Sequence, residues 1–486
     1  MKIEFQTSFL NLPRQFYEEV TPASVEGPSL IAFNSELANS LNISFDLESD
    51  EQEIVNTFSG NKTLEGSRPV ATAYAGHQFG HFVPQLGDGR ALLLGEVIAQ
   101  DGRNYDIQLK GSGPTPFSRN GDGRSSLGPV LREYIVSEAM YHLGVPTTRA
   151  LCAVRTGENV FREEELPGGV FTRVSSSHIR VGTFEYFAAR SDTDNLKLLL
   201  DYCVDRYYPK LERDADLPLR FLKEVMNQTS SLTAHWMDLG FIHGVMNTDN
   251  CSIAGLTIDY GPCAFMDEFK IDKVFSYIDR RGRYAYGNQA NIALWNMGRL
   301  AECLLLLMDY ENEEVKKRFQ ETLEEFPKDF EIKWMNRMRQ KIGLYDIEEK
   351  DGELVNTWLN ILQENELDYT ASFRSLSESL NNDKKSPELD RVEGFEGFWK
   401  QWKERVERQG ADLKAISSQM NDINPLYIPR NHVIEEIIEN SIKGNDELFH
   451  KVLEIIKSPF THQTGAEFLQ EIPKKDQRVQ NTFCGT

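Results

Sequence analysis

Between about residues 70 and 165, short apolar runs alternate with glycine-rich turns; outside that window the apolar positions recur mostly at helical spacing. The segment GHFVPQLGDGRALLLGEVIAQDGRNYDIQLK parses as a strand, a glycine loop, a strand, an Asp-Gly turn and a third strand ending at Lys110. Gly87 and Gly89 lie in the first loop, where glycine lets backbone amides approach a phosphate, and Lys110 adds a point charge. Asp-Gly turns are also ordinary hairpin devices, so this loop alone fits a plain hairpin equally well. In SSLGPVLREYIVSEAMYHLGV the period becomes helical: Leu131, Ile135, Ala139 and Leu143 share one line, and Glu133 and Glu138 fall off it. Before this helix stands GSGPTPFSRNGDGRSSLG, a long loop with five glycines and a second GDGR. Loops of that length are more often functional than inert, and Asp122, Gly123 and Arg124 are its candidates.

Residues 1–70 carry extended, proline-containing stretches and one helix near 34–41, and read as an N-terminal extension packed on the glycine-rich region after it. Residues 171–187 are rich in β-formers and carry Arg173 and Arg180. Helices are expected at 196–208 and 220–239, leading into His243, and a buried helix after GRYAYGNQ. The acidic stretch 311–349 and the segment NNDKKSPELDRVEGFEGFW read as surface helices and a linker, and from residue 391 the chain is helical and charged with a polar tail. The reading is an α+β fold divided at 1–70, 71–167, 168–390 and 391–486.

The formal net charge of −22 argues against a general nucleic-acid binder, whose footprint is basic. No stretch approaches the roughly 20 continuous apolar residues of a membrane span, and the N-terminus lacks a signal-peptide core and cleavage site. The six cysteines (Cys152, Cys203, Cys251, Cys263, Cys303, Cys484) form no CxxC or Cys/His cluster, so a zinc site is not expected and a reducing cytoplasm is.

The chemistry gathers in 243–262: a polar turn, HGVMNTDN, an apolar run with strand character, CSIAGLTI, and a turn, DYGP. A two-stranded ribbon here would bring Asp249, Asn250 and Asp259 to one end. A phosphate-bound dication needs such an arrangement, because hard ions take one or two carboxylates and leave the remaining positions to water and phosphate. Protein kinases use HRDxxxxN followed by DFG for this purpose. Asn250 follows His243 by seven residues, the kinase spacing, whereas Val245 occupies the usual base position. Asp249 is the only nearby carboxylate able to replace that base. Glu133 is placed to hold Lys110 by an ion pair, as the kinase helix glutamate does. Against this stands a plainer reading: an Asx-rich turn before a hairpin, with surface glutamate and arginines.

The segments YAGHQFGHFVPQLGDGRA, LKGSGPTPFSRNGDGRSSLGPVLREYIVSEAM, HGVMNTDNCSI, IDYGP, GRYAYGNQ, DYTASFRSL and NPLYIPRNH resemble, in order and spacing, the selenoprotein O family, also called the YdiU family. The likeness runs from about Phe16 to Cys484. It implies a protein-kinase-like two-lobe fold, with the small lobe at 71–167 and the large lobe at 168–390. It also implies an enzyme that moves AMP from ATP to protein hydroxyls, with ATP flipped relative to kinases. Carried over position by position, nucleotide contacts fall on Gly87, Gly89, Arg90, Lys110, Asp122, Gly123, Arg173 and Arg180. The general base falls on Asp249 and the Mg²⁺ or Mn²⁺ ligands on Asn250 and Asp259, with Asp259 also in contact with nucleotide.

The expected function is therefore a metal-dependent protein AMP-transferase acting on Ser, Thr or Tyr hydroxyls, a monomer with neither nucleic acid nor membrane as partner. The alternatives are transfer of UMP with Mn²⁺, transfer of phosphate, or a non-catalytic nucleotide-binding scaffold, which the missing base at Val245 would suit. The resemblance further implies a disulfide between the segment after DYG and a C-terminal cysteine. Phe275 occupies the usual partner position, so Cys263 is the candidate partner for Cys484. The other reading is that Cys263 is a small buried residue and Cys484 an unpaired tail thiol.

Overall fold

The computed structural model describes residues 1–382 and 384–482. Its centre is one antiparallel sheet in the order Tyr17–Glu19, Val70–Thr72, Ala91–Ile98, Asn104–Lys110, Glu165–Ser175, Arg149–Phe161, Ser29–Phe33, with Ser125–Ser126 joined to Glu165–Ser175. Two of these strands come from the first 70 residues, so the expected N-terminal extension supplies both edges of the sheet rather than only packing on it. The predicted pair Ala91–Ile98 and Asn104–Lys110 forms as expected around its Asp-Gly turn. The glycine loop before it does not join paired strands. His81–Val83 pairs with Gly76–Gln78 in a small separate hairpin.

Helix Leu127–His142 crosses one face of the sheet and is covered in turn by Asn431–Ile442 and Glu447–Ile456. The opposite face packs on Leu47–Ser59 and Ser35–Ser40, whose N-cap Asn34 accepts from the Leu37 amide. The remainder is helical. Leu217–Asp238, Gln289–Leu305 and Glu313–Lys341 form its centre, and one buried cluster runs from Met237 to Met420 across the division expected at 390. Within it Phe395, Phe398, Trp399 and Trp402 are buried. The stretch FEGFW is thus core, not linker: its aromatics lie on one helix, where Phe395 and Phe398 pack on Trp358 and Trp399 packs on Phe395. Among the described residues no helix is long and apolar enough to cross a membrane.

The ribbon expected within 243–262 is not formed there. The two short strands lie just outside, Phe241–Ile242 against Ala264–Phe265, and residues 251–258 make only the isolated bridges Arg180↔Ser252 and Thr147↔Thr257. Ile253 and Ile258 are each buried in the surrounding protein, so burial in the core rather than pairing explains the apolar run. Beyond it the described chain end returns: Thr482 donates its amide to the Phe275 carbonyl at 2.8 Å and its hydroxyl to the Pro262 carbonyl at 2.8 Å.

Candidate active site

A cleft of about 720 Å³ opens between the sheet and the 243–262 loop. Gly87, Gly89, Arg90, Lys110, Asp122, Gly123, Arg173, Arg180, Asp249, Asn250 and Asp259 all line it. Strand alternation sets the sheet wall: Ile107 and Leu109 point into the core, while Gln108 and Lys110 take the other face, with Arg173 the register partner of Gln108. Lys110 Nζ donates to Glu133 Oε2 at 2.5 Å and to Asp259 Oδ1. Arg173 donates Nε to Gln108 Oε1 at 2.7 Å, and its Nη1 lies 3.4 Å from Glu133 Oε1 and 3.9 Å from Asp259 Oδ1. Two cations and two carboxylates therefore form one chain, and Glu133, only 3 % exposed, is not a surface residue.

Asp259 sits at φ +68°, a left-handed conformation that Asp tolerates better than most residues. Burial would raise its carboxyl, but Lys110, Arg173 and Arg90 outweigh burial and hold it well below the usual carboxylate range. Asp249 is the opposite case. Burial pushes its carboxyl up to about 6, against the Gln78 hydrogen bond and the Arg180 charge. Its Oδ2 accepts from Gln78 Nε2 at 3.1 Å, and its Oδ1 is buried without a hydrogen-bond partner among the described residues. Gly76 makes room for it, since a Cβ at that position would stand 2.8 Å from Asp249 Oδ1.

The loop carrying Asp249 is fixed from several sides. His243 contacts the Ile258 carbonyl through Nε2 at 3.2 Å, and its Nδ1 accepts from the Val245 amide at 3.4 Å, which specifies the neutral tautomer with the proton on Nε2. Asn247 Oδ1 accepts from Tyr284 and from the Phe79 amide at 2.6 and 3.0 Å. Thr248 donates to the buried Glu185, which also meets His77 Nδ1 at 2.5 Å. Arg180 donates to the Asp249 carbonyl at 3.1 Å and lies over the Tyr74 ring; its Nη2 stands 4.0 Å from Asp88 Oδ1 and has no hydrogen-bond partner among the described residues.

The oxygen donors suit a hard dication. Asn250 commits its amide nitrogen to the Val245 carbonyl at 3.2 Å, which leaves Oδ1 as the free end, and Asp259 supplies an ionised carboxylate in the same cleft. No group of three His, Cys, Asp or Glu able to hold a metal exists among the described residues.

The glycine-rich insert folds back over the glycine loop. Thr115 donates to the Asp88 carbonyl at 2.7 Å and Ser118 to that of Gly89. Gly87, at φ +77°, has the Phe117 ring where a Cβ would stand, so its freedom already serves this packing. Asp122 is exposed, capping the Arg124 amide at 2.9 Å and pairing with Arg162 at 2.8 Å. Arg124 itself is committed to the carbonyls of Ala23 and Ser24. Sequence reasoning assigned no role to Gln78, Tyr74, Asn247 or Glu185. Only the polar residues inside GHQFG and HGVMNTDN hinted at some of them, and no spacing ties position 78 to 249.

Across residues 1–457 the chain matches the family model described as Protein adenylyltransferase SelO. The chain belongs to the SelO family. A protein nucleotidyltransferase YdiU of Agrobacterium fabrum is 50% identical to it over the full length of both chains. A second, of Rhizobium rhizogenes, is 50% identical over 100% of this chain and 97% of its own, and one of Maridesulfovibrio salexigens 48% identical over 99% and 98%. Membership in the SelO family makes the protein an enzyme of the nucleotidyltransferase class. Of the two cysteines considered for redox control, Cys263 is free and fully buried, and burial pushes its thiol up to about 12. A thiol so held is a poor nucleophile; Cys484 lies outside the described residues.

Proposed function

We propose that this protein transfers AMP from ATP to a serine, threonine or tyrosine hydroxyl of a protein substrate, on a kinase-like two-lobe scaffold with residues 71–167 as small lobe and 168–390 as large lobe. The observation that carries the reading is the presence in one cleft of Asp249, poised near pH 6 with an unpartnered oxygen, and Asp259, held ionised by cations. Asp249 takes the proton of the acceptor hydroxyl. That oxygen attacks the α-phosphorus, the bond to the bridging oxygen breaks, and pyrophosphate leaves with the electron pair. Asn250 and Asp259 would hold Mg²⁺ or Mn²⁺, which when bound neutralises phosphate charge. Lys110 and Arg90 counter the remaining charge. The buried guanidiniums of Arg173 and Arg180 suit a triphosphate tail that lies deep, as flipped ATP requires. Gly87, Gly89, Asp122 and Gly123 line its approach.

The test is incubation with ATP labelled at the α or the γ position, with candidate proteins and either metal. Label should enter protein from α-ATP only. Transfer from γ-ATP alone would make the enzyme a kinase, transfer from α-labelled UTP in preference would make it a UMP-transferase, and none from any nucleotide would favour the scaffold.

A further inference from the structure

The mouth of the cleft carries an apolar and basic face that the transfer chemistry does not use. Ile278 lines the cleft yet is 63 % exposed. Two residues later come Arg280 and Arg281, both exposed, with no ion pair or side-chain hydrogen bond among the described residues. Two of the neighbouring charges are occupied: Asp279 is buried and caps the amides of Arg283 and Tyr284 at 2.9 and 2.7 Å, and Lys273 pairs with Glu268 at 3.0 Å. Arg283 is half-buried over the Trp295 ring. On a chain with a net charge of −22, two adjacent guanidiniums free of ion pairs among the described residues follow an exposed isoleucine at the site entrance.

We propose that Ile278, Arg280 and Arg281 dock an acidic segment of the protein substrate, with an apolar side chain near the acceptor hydroxyl seated on Ile278. The inference rests on the transfer reading above and names the class of acceptor: hydroxyls flanked by Asp or Glu together with an apolar residue. Continuity with the cleft selects the occupant, because whatever covers Ile278 is held at the entrance through which an acceptor hydroxyl must reach Asp249. The two arginines select its charge.

The probes are three peptides of equal length, each with one serine and one leucine, flanked by glutamate, glutamine or lysine. With α-labelled ATP, the wild-type enzyme should modify the glutamate peptide with the highest kcat/KM. The variant Arg280→Glu/Arg281→Glu should lose about tenfold or more on that peptide, mainly through KM, and gain on the lysine peptide. Its nucleotide affinity should be unchanged. Ile278→Ser should weaken all three peptides. Equal use of the three peptides by wild type, or an unchanged preference in the double variant, overturns the proposal. Removal of residues 483–486 should leave the preference unchanged; a preference that arises only on that truncation would assign the face to the chain's own end and overturn the proposal. If no peptide takes α-label, the transfer reading fails, and binding of the same peptides measured by fluorescence anisotropy still decides the docking face.

Discussion

Along the sheet wall of the cleft the charged groups are paired, Lys110 and Arg173 each with Glu133 and with Asp259, which the 243–262 loop extends to them. Around Asp249 in that loop, Asp249 Oδ1 and Arg180 Nη2 are buried without hydrogen-bond partners among the described residues, Nη2 lying 4.0 Å from Asp88 Oδ1. A buried polar atom left unsatisfied costs about 1–3 kcal/mol, so the two sides differ in what they cost the fold. The paired side sets geometry before any ligand arrives. The unpaired side keeps an acceptor and a donor open for groups that come and go, at the expense of stability. The same residue type, aspartate, is thereby held ionised where the loop reaches the sheet cations, at Asp259, and near its titration point at Asp249 of the same loop.

The sharpest way to break this contrast is to remove the paired carboxylate. Asp259→Ala should reduce α-label transfer by about 1,000-fold or more, with a normal circular dichroism spectrum because Glu133 still holds Lys110. Wild-type rates in the folded variant would sink its assignment.

Next in size is Asp249→Asn, expected to cost about 100- to 10,000-fold in kcat, with the opposite effect on stability. The folded pKa of Asp249 lies near 6, above the ordinary 3.8. Its contribution to stability is therefore fully present below pH 4 and lost as the pH rises through 6. The asparagine variant avoids that loss, by about 1–3 kcal/mol, so its Tm at pH 7 to 8 should exceed that of wild type and the gap should close in acid. Wild-type transfer should rise with pH through about 6. A flat profile from pH 5 to 8, or a destabilised variant, would remove Asp249 from the role of base.

The smallest effect sharpens the contrast from the paired side. Lys110→Ala and Glu133→Ala should each impair transfer, and the double variant should lose far less than the sum because the two act as one ion pair. Strict additivity in the double-mutant cycle would mean that the contact does not matter in the working enzyme.

How much of the site is legible along the chain depends on how local each signal is. Lys110 at a strand end, Glu133 off the apolar line of its helix, and the asparagine seven residues after His243 are all periodic or spaced features, and each lines or supports the cleft. The strand expected at 251–258 is not formed, because an apolar run tells only of burial, and here burial is supplied by the surrounding protein rather than by a paired strand. The FEGFW aromatics read as linker because charged neighbours dilute the pattern, whereas the fold packs Phe395 and Phe398 on Trp358.

Sequence by itself determined the α+β character, the candidate residues and, through contiguous motifs, the family, because residue type, period and spacing are properties of neighbours along the chain. Only the tertiary structure decided the protonation of the two aspartates, the partnership of Gln78 with Asp249 and the exposure of Ile278 beside free arginines. Each of these depends on what surrounds a group in space. Desolvation and Coulomb fields act across distances that have no counterpart in residue number.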